Sequence, residues 1–308
     1  FDAKSTFLQT GWHYILSIVA QSWLYDDYPS DNSQDSEWED GYNAYSQRLV
    51  VALKNNNAED VENELYYGAN PDVKFTVDNK PYTPLWYACE NCNVEIVKAL
   101  VKENATLTIK NDEGQTLLMI AILNNNFEVA SYLINAGVDI LASDSNGKTA
   151  LMLAVYKGSM QTVRLLFPDL TDSAKNAKDR NGKTALHYAV EGGWLEIAGY
   201  LIESGVNNSI EDNDGYTPFM RAIDRGTNMI DLFLSNRHFN VNKANSAGLP
   251  PLLWAIKKGK SLYIIELIVK DSRASVYVRD RQGRDALDYQ KIYQSSNKEL
   301  KNLLKRYR

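Results

Sequence analysis

Cysteine is nearly missing from this chain of 308 residues, which has only Cys89 and Cys92. Two thiols are too few for a disulfide framework. Histidine is as scarce, and His13, His187 and His238 stand far apart in sequence with no Ser or Cys partner in a nucleophile–base pattern. No phosphate-binding glycine loop, dinucleotide fingerprint or HExxH motif is present. Apolar runs of the ~18 residues needed to span a bilayer are absent as well. Positive charge is lacking at the start: residues 1–47 carry Lys4 against eight Asp or Glu, whereas residues 248–308 carry 14 Lys or Arg against 6 Asp or Glu. The overall charge of −6 therefore hides two electrically opposite ends.

What the chain does have is repetition. Residues 182–214, GKTALHYAVEGGWLEIAGYLIESGVNNSIEDND, contain two short apolar patterns at helical spacing: Leu186, Ala189 and Val190, then Ile197, Ala198, Leu201 and Ile202. Thr184 offers an N-cap hydroxyl, and Gly193 can enter the left-handed backbone region that closes a helix. Each helix falls below the ~12–15 residues needed for marginal independent stability, so burial has to come from neighbouring copies. The opening returns as TPLWYA at Thr83, TLLMIA at Thr116, TALMLA at Thr149 and TPFMRA at Thr217, at intervals of 33 to 35 residues.

T-A-L-H-x-A-V-x-x-G followed by I-A-x-x-L-I-x-x-G resembles the ankyrin repeat. The resemblance implies an all-α repeat solenoid, an array of helix-turn-helix units joined by β-hairpin loops, with helical caps. A degenerate first copy spans 45–80, and further copies start near Pro81, Gly114, Gly147, Gly182, Gly215 and Gly248. Residues 283–308 form a C-terminal cap in which Asp285 replaces the usual Thr. Two insertions, Phe167–Asn176 and Lys270–Val278, fall after second helices, where added loop length is tolerated. Ahead of the array, residues 1–25 place Leu8, Trp12, Ile15, Leu16, Val19 and Trp23 on one helical face, predicting an amphipathic helix that packs on the array. Residues 26–44 read as an acidic linker. An initiator Met is not expected to be trimmed before Phe1, so a removed leader in a bacterial, secreted or periplasmic protein is the favoured expectation.

Cys89 and Cys92 have the C-x-x-C spacing of redox motifs, but they fall late in a first helix, where the dipole opposes thiolate. Other copies hold Ile122, Val155, Val190 and Ile223 at the first position and Gly158, Gly193, Gly226 and Gly259 at the second. They are expected to be core filler and helix cap, with Gly acceptable or even stabilising at 92. A redox or metal role is the alternative, although two ligands fall short of a structural zinc site. His187 sits where the family makes a hydrogen bond within its turn. No cofactor, metal or small-molecule substrate is expected, and no catalysis.

A surface remains. In ankyrin arrays partners commonly bind the side formed by hairpin tips and first helices. Carried over residue by residue, that side takes in Tyr82, Glu90, Asn91, Leu123, Tyr156, Lys157, Tyr216, Asp224 and Arg225. The expected function is a monomeric protein–protein interaction module, with an inhibitor or immunity-type protein as one form of it. The alternative is anionic-ligand recognition, of nucleic acid or a lipid head group, through Lys257, Lys258, Arg279, Arg281 and Arg284; the alternating charge signs of the first set make nucleic acid the less favoured partner.

Overall fold

The computed structural model describes residues 44–308. The expected helix at 1–25 and nearly all of the acidic linker lie outside the described residues.

Each copy begins with a capping signal that its own sequence supplies. Thr83, Thr116, Thr149 and Thr217 accept the backbone N–H three residues on, starting first helices at Pro84 or at residues 117, 150 and 218. Asn57, Asn93, Asn126, Ser159, Ser261 and Asn297 do the same for second helices. In the last copy Asp285 takes the place of Thr, its carboxylate accepting from Leu287 and Asp288 while the Asp288 side chain accepts from the Asp285 N–H.

The first copy holds α1 (Ala44–Lys54) and α2 (Ala58–Tyr66). Hairpin strands β1 (Phe75–Val77) and β2 (Lys80–Tyr82) lead to α3 (Pro84–Asn91) and α4 (Val94–Lys102). The third and fourth copies are α5 (Leu117–Leu123) with α6 (Phe127–Asn135), and α7 (Ala150–Tyr156) with α8 (Met160–Leu166). The first insertion folds as a 3-10 turn, Phe167–Asp169, and a one-turn α9 (Asp172–Lys175) capped by Thr171. Then come α10 (Ala185–Gly192) with α11 (Leu195–Glu203), α12 (Pro218–Arg225) with α13 (Thr227–Ser235), and α14 (Pro251–Lys257) with α15 (Leu262–Lys270). The cap is α16 (Ala286–Tyr293) with α17 (Lys298–Arg306).

First helices pack on first helices and second on second along the whole series. Leu85, Leu118, Leu151, Leu186, Phe219 and Leu252 recur at one buried position, and Ala88, Ala121, Ala154, Ala189, Ala222 and Ala255 at another, where a small side chain lets neighbouring helices approach. The degenerate first copy buries Ala52, Leu53, Val61 and Leu65, as its pattern implies. Gly193 closes α10 at φ 75°, the left-handed conformation that an L side chain resists.

The hairpin tips form a second spine. Ser145 N–H donates to the Glu113 carbonyl, Arg180 N–H to Asn146 and Asn213 N–H to Asn181, at 2.8, 2.8 and 2.9 Å. Between the sixth and seventh copies a side chain takes over: the Glu211 carboxylate accepts from Ser246 N–H and from its hydroxyl, both at 2.6 Å. In four of the tips a buried carboxylate, Asp144, Asp179, Asp212 or Asp280, closes the loop, and in two others the Asn111 or Asn245 amide does. Asp179 Oδ1 accepts from Asn181 and Lys183, Asp212 Oδ1 from Asp214 and Tyr216, and Asp280 Oδ1 from Gln282 and Arg284. Burial alone would raise the Asp280 carboxyl, but donors from Arg284, Tyr289 and the loop hold it down at about 2.

Candidate protein-binding face

Four aromatic side chains from four successive copies meet in two pairs along the side made by hairpins and first helices. Tyr156 ends α7 with 58% of its surface exposed, and its ring meets Tyr188 of α10 edge-on at 6.2 Å. The Tyr188 hydroxyl donates to Asp179 at 2.6 Å. In the next two copies Tyr216, on the hairpin before α12, meets Trp254 of α14 edge-on at 5.5 Å.

Amines lie on these rings. Lys148 Nζ stands 5.5 Å from the Tyr156 ring centre and 5.6 Å from that of Tyr188. Lys258 Nζ stands 5.6 Å from Tyr216 and 6.0 Å from Trp254. Between the two pairs lies a closed ion network: Lys183 binds Glu191 at 2.7 Å, Glu191 lies 3.6 Å from Arg221, and Arg221 grips Asp212 at 2.6 Å and Asp214 at 3.0 Å. The Arg221 guanidinium also covers the Tyr216 ring at 4.2 Å. Each such cation–ring contact stabilises by roughly 0.5–1 kcal/mol at an exposed site, so the row is held in place one link at a time.

His187 ties this face to the next copy. Its Nδ1 accepts from Thr184 N–H at 3.1 Å, with the Thr184 hydroxyl 3.0 Å away, and its Nε2 lies 3.0 Å from the Tyr216 carbonyl. Both contacts are satisfied by the neutral tautomer protonated on Nε2, so the ring bridges the start of α10 to the hairpin segment that carries Tyr216. Burial holds its pKa below the ordinary value of 6.5. The unfolded chain therefore takes up a proton that the folded ring refuses, and stability falls as pH drops below the unfolded-state pKa of about 6.5. Urea unfolding of the wild type at pH 7.5 and 5.5 is expected to show this loss. His187→Met, carrying the residue found at 119, 152 and 220, should be less stable at pH 7.5 but show a smaller difference between the two pH values.

The structure divides the residues expected on this face. Tyr156, Lys157 and Arg225 reach solvent. Asp224 is exposed and paired with Lys260, and Tyr216 is half-buried under Arg221 and against Trp254. Leu123 is half-buried on the core, and the Asn91 side chain donates back to the Tyr87 carbonyl at 3.1 Å. Glu90 is taken up by Lys80 at 2.7 Å and by the Trp86 indole N–H at 3.2 Å. Tyr82 does not reach solvent as Tyr156 does. It is 9% exposed, its ring stacked on Phe75 and edge-on to Tyr87, because β2 pairs it directly opposite Phe75 on the inward side of the hairpin. Sequence reasoning missed Tyr188 and Trp254, the buried rings against which Tyr156 and Tyr216 sit, since their meeting depends on side chains from different copies.

The alternative cationic set is dispersed over different roles. Lys257 and Arg279 are exposed, while Lys258 sits on the aromatic row. Arg281 donates to the Ser246 carbonyl, and Arg284 is bound to Asp280 and the Tyr289 hydroxyl.

Cys89 is fully buried and Cys92 nearly so, its thiol 3.5 Å from the Leu53 carbonyl. Burial pushes both thiols up, Cys92 to about 11, so neither offers a thiolate near neutral pH. Among the described residues no group of three or more His, Cys, Asp or Glu stands in a metal-binding arrangement. The expectation for position 92 needs correction. Cys92 closes α3 at φ −111°, extended rather than left-handed, so Gly gains nothing there. Cys89→Val is expected to change chemical-denaturation stability by less than ~1.5 kcal/mol. Cys92→Gly should lose about 1 kcal/mol through backbone freedom alone. A stabilised Cys92→Gly protein would contradict this geometry.

A stack of short paired helices with hairpin tips aligned along one side, and no helix among the described residues long and apolar enough to cross a membrane, defines a repeat solenoid with an extended lateral surface. The sequence pattern of ankyrin repeats, in three copies, matches residues 49–144 and 138–212, and the chain belongs to the ankyrin-repeat family. Among solved structures it is similar to the ankyrin repeat domain of Bcl-3, described as a unique member of the IkappaB protein family. That similarity has a TM-score of 0.64 and 26% identity, over 73% of this chain and 98% of that one. No curated protein matches the sequence. Ankyrin repeats generally serve as protein–protein interaction modules, which is consistent with a binding role here.

Proposed function

We propose that this chain is a non-catalytic protein-binding module and that its partner docks across the hairpins and first helices of the fourth to seventh copies. The observation that carries the reading is the exposed Tyr156 and the half-buried Tyr216, each seated edge-on against a buried ring of the next copy, Tyr188 and Trp254, and held by Lys148, Arg221 and Lys258. Tyrosine presents a large apolar area and a hydroxyl on few rotatable bonds, so it anchors an interface at small entropic cost. Rings already ordered by cations lose less freedom again when a partner arrives.

Tyr156→Ala should weaken partner binding by ~1–3 kcal/mol, the range of an interface anchor, and leave folding nearly unchanged because the side chain is mostly in solvent. Tyr216→Ala is a poorer probe, since it also removes packing on Trp254. A photo-crosslinking residue placed at 156, and separately at the exposed Tyr263 of α15, tests the location in cells of the source organism. A partner that crosslinks from 156 and not from 263 supports the reading. Crosslinking from 263 alone, with binding indifferent to Tyr156→Ala, would refute it.

A further inference from the structure

The ion pairs on this face are unevenly distributed. The carboxylates on this side of the fourth to seventh copies are hydrogen-bonded or ion-paired within it. Asp144 Oδ1 accepts from Asn146 and Lys148 N–H, and Asp179 is held by loop N–H groups and by Tyr188. Glu191, Asp212 and Asp214 share Lys183 and Arg221, and Asp224 has Lys260. The cations are in excess. Lys148, Lys157, Arg180, Arg225, Lys257 and Lys258 face the same side, and none makes a salt bridge among the described residues. The face is thus electropositive wherever a partner could answer it, even though its residue list alternates in sign.

Two of these amines differ from ordinary surface lysines. Lys148 and Lys258 are each held over two rings, three copies apart, on either side of the ion-paired network around Arg221. A cation over a ring keeps N–H donors free on its outer side while its stem is already ordered, so meeting a carboxylate costs it less entropy than a freely moving lysine. Between them the surface offers the Tyr156 and Tyr216 rings beside charges that are already paired with one another. We infer that the occupant of this face is an acidic protein segment, with carboxylates at both ends that meet Lys148 and Lys258 and apolar or aromatic side chains between them that pack on Tyr156 and Tyr216. This rests on the protein-binding reading and narrows it to one partner chemistry. A nucleic acid is disfavoured because Lys183 and Arg221, midway along the face, are already taken up by Glu191, Asp212 and Asp214, so no continuous run of unpaired cations is left for a uniform phosphate chain.

Fluorescence anisotropy with labelled synthetic peptides decides the matter. One peptide carries Trp and Leu among Asp and Glu, a second has the same Trp and Leu among Ser and Asn, and a third has them among Lys; an oligothymidylate is the fourth probe. The acidic peptide should bind tightest and weaken as salt rises. Lys148→Gln with Lys258→Gln should weaken it about fivefold or more, as expected for two exposed ion pairs, whereas Lys102→Gln with Lys301→Gln, away from the face, should not. Equal binding of neutral and acidic peptides, still lost in Tyr156→Ala, would overturn the acidic preference and leave the docking face standing. Failure of every peptide to bind overturns the inference. Binding that ignores both Tyr156→Ala and the Lys148/Lys258 pair overturns the docking face too. Oligothymidylate bound as tightly as the acidic peptide, at the same lysines, would make the site one for nucleic acid.

Discussion

Leu201→Ala is expected to remove ~2–5 kcal/mol of stability, with the loss concentrated in the middle of the array. Leu201 has no exposed surface, and α11 packs between α8 and α13, so truncation leaves a cavity shared by three copies. The surroundings cannot simply collapse into it. Ala198 and Gly199 already bring the neighbouring helices close on the same helix, where the Leu232 side chain lies beside Gly199. In a solenoid each copy touches only its neighbours, so the cost should be felt by the fourth to sixth copies and fade outward. Denaturant unfolding gives the size of the loss, and amide hydrogen exchange gives its position. Protection should fall most in α8, α10, α11 and α13 and least in α3, α4 and α17. An even loss from end to end would mean that the array unfolds as one unit and that nearest-neighbour coupling is the wrong description.

The helices were legible in the sequence because every signal that places them is local. Thr83, Thr116, Thr149 and Thr217 cap the helices they precede, and Gly193 closes α10 within its own copy. Even the atypical last copy announces itself, since Asp285 can accept the same N–H groups as Thr and adds a reciprocal bond from Asp288. Only the hairpins were less regular than the repeat implies. Among the described residues β1 and β2 are the one strand pair, the next two hairpins reduce to single bridges, Lys110 with Thr116 and Ser143 with Thr149, and the later ones form no bridge.

The face was legible only in part, for a physical reason. Tyr156 could be placed from its position at the end of a first helix. Tyr82 could not be placed by analogy, because its hairpin differs from the others: Asp78 and Asn79 both take positive φ, at 51° and 63°, making a tight turn that sets Tyr82 opposite Phe75. An Asp-Asn pair between Phe75-Thr-Val and Lys-Pro-Tyr82 was the available clue, since a two-residue turn fixes which side chains share a face. The pairing of Lys148 with Tyr188, or of Lys258 with Tyr216, joins different copies and depends on how they stack. His187 shows the same division, its bond to Thr184 being local and its bond to the Tyr216 carbonyl not.

Arg273→Ala is expected to cost about 2–3 kcal/mol, a large effect for a residue in an insertion that reads from sequence as spare loop. The α13 helix ends at Ser235 and its cap residue, Asn236, is extended, so no left-handed closure satisfies its last carbonyls. Arg273 reaches back from the following copy to do so. Its guanidinium donates to the carbonyls of Leu234, Asn236 at 2.6 Å and Phe239 at 3.3 Å, and Asp271 holds it in place at 2.9 and 2.6 Å. A positive charge at a helix C-terminus is favourable in itself. Beneath it Phe219, Phe233 and Phe239 pack within 4.7 to 5.4 Å of one another, so loosening the end of α13 would also loosen that cluster. Lysine should recover less than half of the loss, because an ammonium cannot copy the planar fork that reaches several acceptors at once. Hydrogen bonding to Arg273 holds the Asp271 carboxyl below its ordinary value of 3.8. Its contribution is therefore present above that value and lost as pH falls below it, and in the Ala variant the Asp271 pKa should rise. Thermal unfolding and carboxyl titration by NMR read the two effects separately. A change below ~0.5 kcal/mol in the Ala variant would reduce Arg273 to an ordinary surface ion pair and leave the second insertion without a structural task.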